Sequence, residues 1–434
     1  MVKVASFKGI TYNKKKIENL DDVMAPPYDI ISPEKQEELY KKHPKNFVRL
    51  TLGKEKEQDN KQNNRYTRAK DFLKSWLKEK TLIQSDKPSI YPYKVEYDLE
   101  GKSKTMNGFF VLLKLDKNYE KVKAHERTLK GPKKDRLNLM RACKANPEPI
   151  QLLYIDKDDT IRKKIDESLK KQPLVDVEGY DGFKHKLWKI DNEEIIDFVE
   201  EELEDEILFI ADGHHRYQTS INFSEEMEEK TGKNTGEEPY NYRLVILANM
   251  LDEGLSILPT HRLIKKSDVE IDDLIKKASS FFKIEKIDLK EGKDVSDLSE
   301  EIKENISTEN EHKFAIYLED KYYILTLKNE AIMDKFAPNH SETWRTLDVS
   351  ILHKIFLEEF VGVNEDNIER HVKYTRDDDE AIKLVDEGKF DFSIVMNPTK
   401  IDELRAVAEA GEHMPQKSTY FLPKMLSGLV MYKM

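Results

Sequence analysis

The chain has 434 residues, 38% hydrophobic and 36% charged, a length that predicts two closely packed regions rather than one core. Its 73 Lys and Arg against 84 Asp and Glu give a net charge of −11, which disfavours general nucleic-acid binding but leaves room for a local phosphate pocket. The one cysteine, Cys143, excludes an internal disulfide, and no stretch reaches the roughly 20 apolar residues of a membrane helix, so the expectation is a cytoplasmic protein without membrane or nucleic-acid partners and without an N-terminal signal.

Early in the chain, Ala25-Pro26-Pro27-Tyr28-Asp29 is a rigid extended segment, because each proline fixes its own φ and restricts its predecessor. Rigidity suits an aimed carboxylate, so Asp29 is a candidate general base with Glu34 as its substitute; a helix-entry turn into Ser32-Pro33-Glu34 accounts equally for the same residues. The spacing predicts helices over 33–42 and 65–80, the second with Ala69, Phe72, Leu73, Trp76 and Leu77 on one stripe. Runs over 90–99 and 105–115 flank Glu100-Gly101 and predict a hairpin. His125-Glu126-Arg127-Thr128 precedes a basic loop around Gly131, which either closes over a charged ligand or carries solvated lysines into a helix over 134–144.

The apolar run over 207–211 reads as a buried strand, followed by Asp212-Gly213-His214-His215-Arg216 and a helix over 216–230. Strand, glycine turn and helix N-terminus make an anion site, because the first helical amides lack intrahelical partners. Gly213 lets a phosphate approach the backbone, Arg216 offers a planar fork of donors, and His214 or His215 a donor titrating near neutrality. Asp212 would cap the helix, hold a histidine tautomer or carry Mg²⁺ through water. A capped helix with two solvent-facing histidines is the plainer alternative, and adjacent histidines about 100° apart make a poor zinc pair.

Farther on, 243–250 with 255–258 and 313–318 with 322–327 predict two more hairpins, and helices are expected over 269–282, 347–358 and 401–409. Thr260-His261-Arg262 follows Pro259 at a strand end, where Arg262 would take a carboxylate bidentately or pair with an acidic neighbour. The stretch 286–310, lysine-rich and acidic, reads as an exposed helical insertion. Lys417-Ser418-Thr419 would form a second phosphate clamp assisted by Lys424, or merely a strand edge. These elements predict an α+β or mixed α/β fold with mixed, hairpin-rich sheets and flanking helices. Residues 1–265 form the expected catalytic region, and 266–434 a second region whose Met414–Thr419 segment folds back to the site.

Ala211-Asp212-Gly213-His214-His215-Arg216-Tyr217 resembles the signature of free-serine kinases related to the ParB/sulfiredoxin superfamily. Almost end to end, the chain resembles a widespread domain-of-unknown-function family linked to serine phosphorylation. The further hallmarks are the 25–29, 125–128 and 414–419 segments above and Leu258-Pro259-Thr260-His261-Arg262. The resemblance implies a ParB/sulfiredoxin-like phosphate-binding core and a Mg²⁺-dependent kinase that phosphorylates free L-serine. ADP, ATP or pyrophosphate would be the donor, and a homodimer is allowed for. Together with the residue chemistry above, this puts Asp29, Asp212 and His214 forward for catalysis, with Asp212 as the candidate Mg²⁺ ligand. Gly213, His215, Arg216, His125, Arg127, Lys417, Ser418 and Thr419 would hold phosphate, and Thr260, His261 and Arg262 the substrate. A nucleotide-binding sensor and a phosphate-ester hydrolase are the alternatives. P-loop, dinucleotide and serine-hydrolase motifs are absent from the sequence, and Cys143 has no setting for sulfiredoxin chemistry.

Overall fold

The computed structural model describes residues 1–126, 130–170, 172–266, 270–289, 292–308, 310–364 and 366–434. The protein is mixed α+β, in two units: residues 1–124, 128–256 and 423–434 form the first, and 125–127 with 257–422 the second. The division after Ser256 leaves position 265, the expected boundary, just beyond the His261–Ile264 strand of the second unit.

The first unit is built on a sheet of nine strands among the described residues. Its order is Val122–Lys123, Leu208–Asp212, Ile150–Tyr154, Tyr242–Asn249, Lys102–Lys114, Tyr91–Leu99, Lys184–Leu187 and Val175–Glu178, with Val4–Ala5 also pairing with Lys102–Lys114. Two neighbouring pairs are parallel, Leu208–Asp212 with Val122–Lys123 and Tyr242–Asn249 with Ile150–Tyr154. The remaining pairs are antiparallel. The first hairpin closes as expected on Glu100-Gly101, with Leu99 opposite Lys102. Both turn residues have positive φ, 51° and 73°, the twist that a two-residue turn needs to join right-handed strands.

The expected hairpin of 243–250 with 255–258 does not form. Tyr242–Asn249 is paired on both edges, by Ile150–Tyr154 and Lys102–Lys114, and all eight of its residues are buried. Asp252 turns the chain off the sheet, accepting from Gly254 N at 2.7 Å and from Asn107 N at 3.0 Å. Only glycine fits at 254, since a Cβ there would lie 2.0 Å from Thr105 O.

The Arg65–Lys78 helix starts at a capping box on Asn64 and buries Ala69, Leu73 and Trp76, with Phe72 and Leu77 half-buried beside them. Full burial of the Trp76 side chain contributes on the order of 3 kcal/mol. The helices expected over 134–144 and 216–230 are longer, spanning Lys130–Cys143 and His214–Thr231. Cys143 is buried, which pushes its thiol up to about 12 and leaves it unreactive at neutral pH.

The second unit carries a six-stranded antiparallel sheet among the described residues, ordered Phe282–Asp288, Lys321–Leu327, Lys313–Leu318, Phe392–Met396, His261–Ile264 and Val372–Thr375. Its hairpin turns on Glu319-Asp320, with Leu318 opposite Lys321. The stretch 286–310 is not an exposed insertion: the Phe282–Asp288 edge strand reaches into it, and the Val295–Ile306 helix packs Leu298, Ile302 and Ile306 into the core. The expected helix over 269–282 is shorter, Ile271–Ala278, because Phe282 already belongs to that edge strand. The helix expected over 347–358 changes from α-helix at Asp348–Ile351 to π-helix at Leu352–Val361.

Candidate active site

Leu208–Asp212 is a buried strand paired on both sides, and its last residue brings Asp212 to the sheet end. Gly213 follows with φ 99°, in the left-handed region, and a Cβ on it would lie 2.9 Å from Arg216 Nε. Glycine is therefore required twice, for the turn and for the approach of the guanidinium. Gly213 is the N-cap of the His214–Thr231 helix and has no side chain with which to cap it. Both Asp212 carboxylate oxygens accept from cations.

Arg216 Nη2 donates to Asp212 Oδ2, and Lys424 Nζ donates to Asp212 Oδ1 at 2.7 Å. Burial pushes the Asp212 carboxyl up, but the Lys424 and Arg216 charges outweigh it and hold the group well below the usual carboxylate range. Burial pulls Arg216 down while Asp212, Glu148 and Asp29 raise it further, so the guanidinium stays charged although only 7% exposed. Arg216 Nη1 also donates to Pro149 O. These contacts use two of five guanidinium N–H donors. His214 is buried close to Asp212, and His215 is half-buried, so neither faces solvent freely.

Glu148, 2% exposed, is the neighbouring hub. Its Oε1 accepts from Tyr28 N and from Ser427 Oγ, both at 3.0 Å, and its Oε2 from Arg136 Nη1 at 3.2 Å. Arg243 Nη2 donates to the Glu148 carbonyl at 2.6 Å, and the Arg136 guanidinium lies 3.8 Å from the Tyr28 ring centroid. Burial and the Arg216 charge pull Arg243 down to about 9, which leaves it charged at neutral pH. Asp29 is exposed, and its charge reaches Arg216 and Tyr28. The Pro26-Pro27 segment thus delivers its carboxylate to the surroundings of the Asp212–Arg216 turn.

Sequence reasoning missed Arg136, Glu148, Arg243 and Ser427. The one available signal was Pro147-Glu148-Pro149, an acid fixed between two prolines in the manner of the 25–29 segment.

The other candidates lie in the second unit. His125 Nε2 is 3.0 Å from Thr419 Oγ1, and Met414 N donates to His125 O at 2.7 Å. Lys417 is exposed with φ 57°, and Ser418 is buried with its hydroxyl on Pro415 O. His261 Nδ1 accepts from Met396 N at 3.2 Å, so its Nε2–H donates to Asp378 at 2.8 Å. Arg262 and Thr260 are buried beside it. Arg127 lies outside the described residues.

The expected Mg²⁺ ligand does not fit a protein-held metal. Both Asp212 oxygens already accept from cations, and among the described residues no group of three or more acids, histidines or cysteines is arranged to hold a metal ion. No helix among the described residues is long and apolar enough to cross a membrane.

The profile of a family described as "Protein of unknown function (DUF1015)" matches residues 4–350. Among solved structures, the chain is similar to a conserved hypothetical protein from Pyrococcus furiosus at 12% identity, covering 73% of this chain and 90% of that one with a TM-score of 0.33. It is similar to a free serine kinase mutant in complex with ADP at 11% identity, covering 75% and 91% with a TM-score of 0.35. It is also similar to SbnI with C-terminal truncation from Staphylococcus aureus at 11% identity, covering 71% and 83% with a TM-score of 0.32. No curated protein matches the chain.

Proposed function

The chain belongs to the family described as "Protein of unknown function (DUF1015)", and we propose that it is a small-molecule kinase that transfers a phosphoryl group from a nucleotide or pyrophosphate to the hydroxyl of free L-serine. The observation that carries this reading is the convergence of Arg216 and Lys424 on Asp212 at the N-terminus of the His214–Thr231 helix. Backbone amides that lack intrahelical partners, next to two cations fixed by one carboxylate, are suited to a phosphate whose charge grows as it is transferred. Serine as acceptor and a ParB/sulfiredoxin-like core rest on the motif resemblance.

In this reading Gly213, His214 and His215 offer the donor phosphate backbone and side-chain donors, while Arg216 and Lys424 neutralise it. Asp212 fixes the two cations in place. Asp29 takes the proton of the serine hydroxyl as that oxygen bonds to phosphorus, and the bond from phosphorus to the departing phosphate or nucleotide oxygen breaks. Exposure keeps Asp29 available to an incoming substrate. Glu148 organises Arg136 and the 26–29 segment from behind.

The test is incubation of the full chain with L-serine and ADP, ATP, CTP or pyrophosphate in turn, with Mg²⁺ in solution, followed by detection of O-phosphoserine. Phosphoserine with at least one donor supports the kinase. Donor breakdown that does not require serine replaces it with a hydrolase, and nucleotide binding without turnover replaces it with a sensor.

A further inference from the structure

Arg262 is 2% exposed and has no carboxylate partner among the described residues. Its guanidinium donates to Thr260 O, to Met396 Sδ at 3.0 Å and to Lys417 O at 3.4 Å, and its Nε donates to nothing described. Burial alone pulls its charged form down to about 10, with only the Tyr374 hydroxyl acting against that. A buried cation satisfied by two carbonyls and a thioether lacks the counter-charge that buried ions ordinarily have, and leaving it so is costly.

The neighbouring groups are unsatisfied in the same way. Arg262 is directly opposite Tyr374 in the antiparallel pair of His261–Ile264 with Val372–Thr375, and its guanidinium is 5.6 Å from the Tyr374 ring centroid. Thr260 and Arg376 stand two residues from this pair, one on each chain segment, just beyond the paired residues His261 and Thr375. The buried Thr260 Oγ1, Tyr374 hydroxyl and Arg376 Nε also make no hydrogen bond to a described residue. Arg376 is held over the Tyr420 ring at 4.2 Å. Burial, and after it the Arg262 charge, hold the His353 imidazole well below its usual range, so it supplies no competing cation. His261, on the opposite face, is spent on Met396 N and Asp378.

We propose that the second unit has its own binding site for a small oxyanion, a carboxylate or phosphate group, formed by Arg262 and Arg376 with the hydroxyls of Thr260 and Tyr374. The anion supplies the counter-charge of Arg262 and accepts from donors that otherwise have no partner. This site does not depend on the kinase reading, because it needs no transfer step.

The test is direct binding by calorimetry, with thermal unfolding in parallel, of the full chain with inorganic phosphate and separately with L-serine, at constant ionic strength. Saturable binding of phosphate or of L-serine is expected, and which of them binds tells a phosphate group from an amino-acid carboxylate. Arg262→Met should weaken binding by about 10- to 100-fold, Arg262→Lys by less, and Tyr374→Phe and Thr260→Val by about 3- to 10-fold each. The two hydroxyl deletions keep the test open if Arg262→Met does not fold. Absence of saturable binding of either anion would overturn the site, as would wild-type affinity in Arg262→Met or in both hydroxyl variants.

Discussion

Asp212 and Lys424 stand 212 positions apart in the chain and meet at 2.7 Å, carboxylate Oδ1 to ammonium Nζ. Residues 423–434 are thereby part of the first unit, although 166 residues of the second, 257–422, separate them from the rest of it in sequence. The consequence is that one acid organises two cations, one from its own helix turn and one from the chain's far end.

The Asp212 carboxyl is depressed in the folded state, so its contribution to stability is fully present above the unfolded value, about pH 4, and is lost as the pH falls below it. Asp212→Asn should cost about 2–4 kcal/mol at pH 7 by leaving Arg216 and Lys424 without their acceptor charge. Urea denaturation of both proteins from pH 7 to pH 3 checks this. The gap between wild type and variant should narrow only below pH 4.

Gly213→Ala should destabilise the protein by about 1–3 kcal/mol, because alanine at φ 99° is strained and its Cβ meets Arg216 Nε at 2.9 Å. Since Arg216 would be displaced from Asp212, any turnover should fall more steeply than stability does. Melting temperature and phosphoserine formation measured on the same preparation separate the two effects.

Glu148→Ala should cost about 2–4 kcal/mol, since it removes one of the two carboxylates on Arg136, Asp135 remaining, and leaves the Tyr28 amide and Ser427 hydroxyl without their acceptor. Glu148→Gln keeps an acceptor for Tyr28 N and Ser427 Oγ and should cost clearly less. Equal chemical-denaturation midpoints for the two variants would contradict this role.

At the Glu100-Gly101 turn, Glu100 holds φ 51°, a conformation that asparagine tolerates better. Glu100→Asn should stabilise by about 0.5 kcal/mol and raise the melting temperature slightly. A lower melting temperature would show that the Glu100 side chain contributes more than its backbone strain removes.

The sequence made these local features legible because each was written in neighbouring residues. The Glu100-Gly101 hairpin and the hairpin of 313–318 with 322–327 came from alternation around a turn, the second with Lys321 taken into the strand rather than the turn, and the Asp212–Arg216 element from an apolar run meeting glycine and a helical pattern. Pairing across distance was not written there. Nothing around 243–258 reveals that both edges of Tyr242–Asn249 are already taken, and nothing in the helical stretch 130–143 predicts that Arg136 meets Glu148. The 286–310 stretch misled because an edge strand alternates with charged residues and the Val295–Ile306 helix buries only a narrow stripe.

The central claim is tested most directly by measuring O-phosphoserine formed from L-serine by the wild-type chain and by Lys424→Met, with circular dichroism confirming that both are folded. The expected result is phosphoserine from the wild type with at least one of the donors and a rate about 100-fold lower or less in the variant, as for loss of one placed cation. No phosphoserine with any donor, or equal rates in the two proteins, would contradict the account.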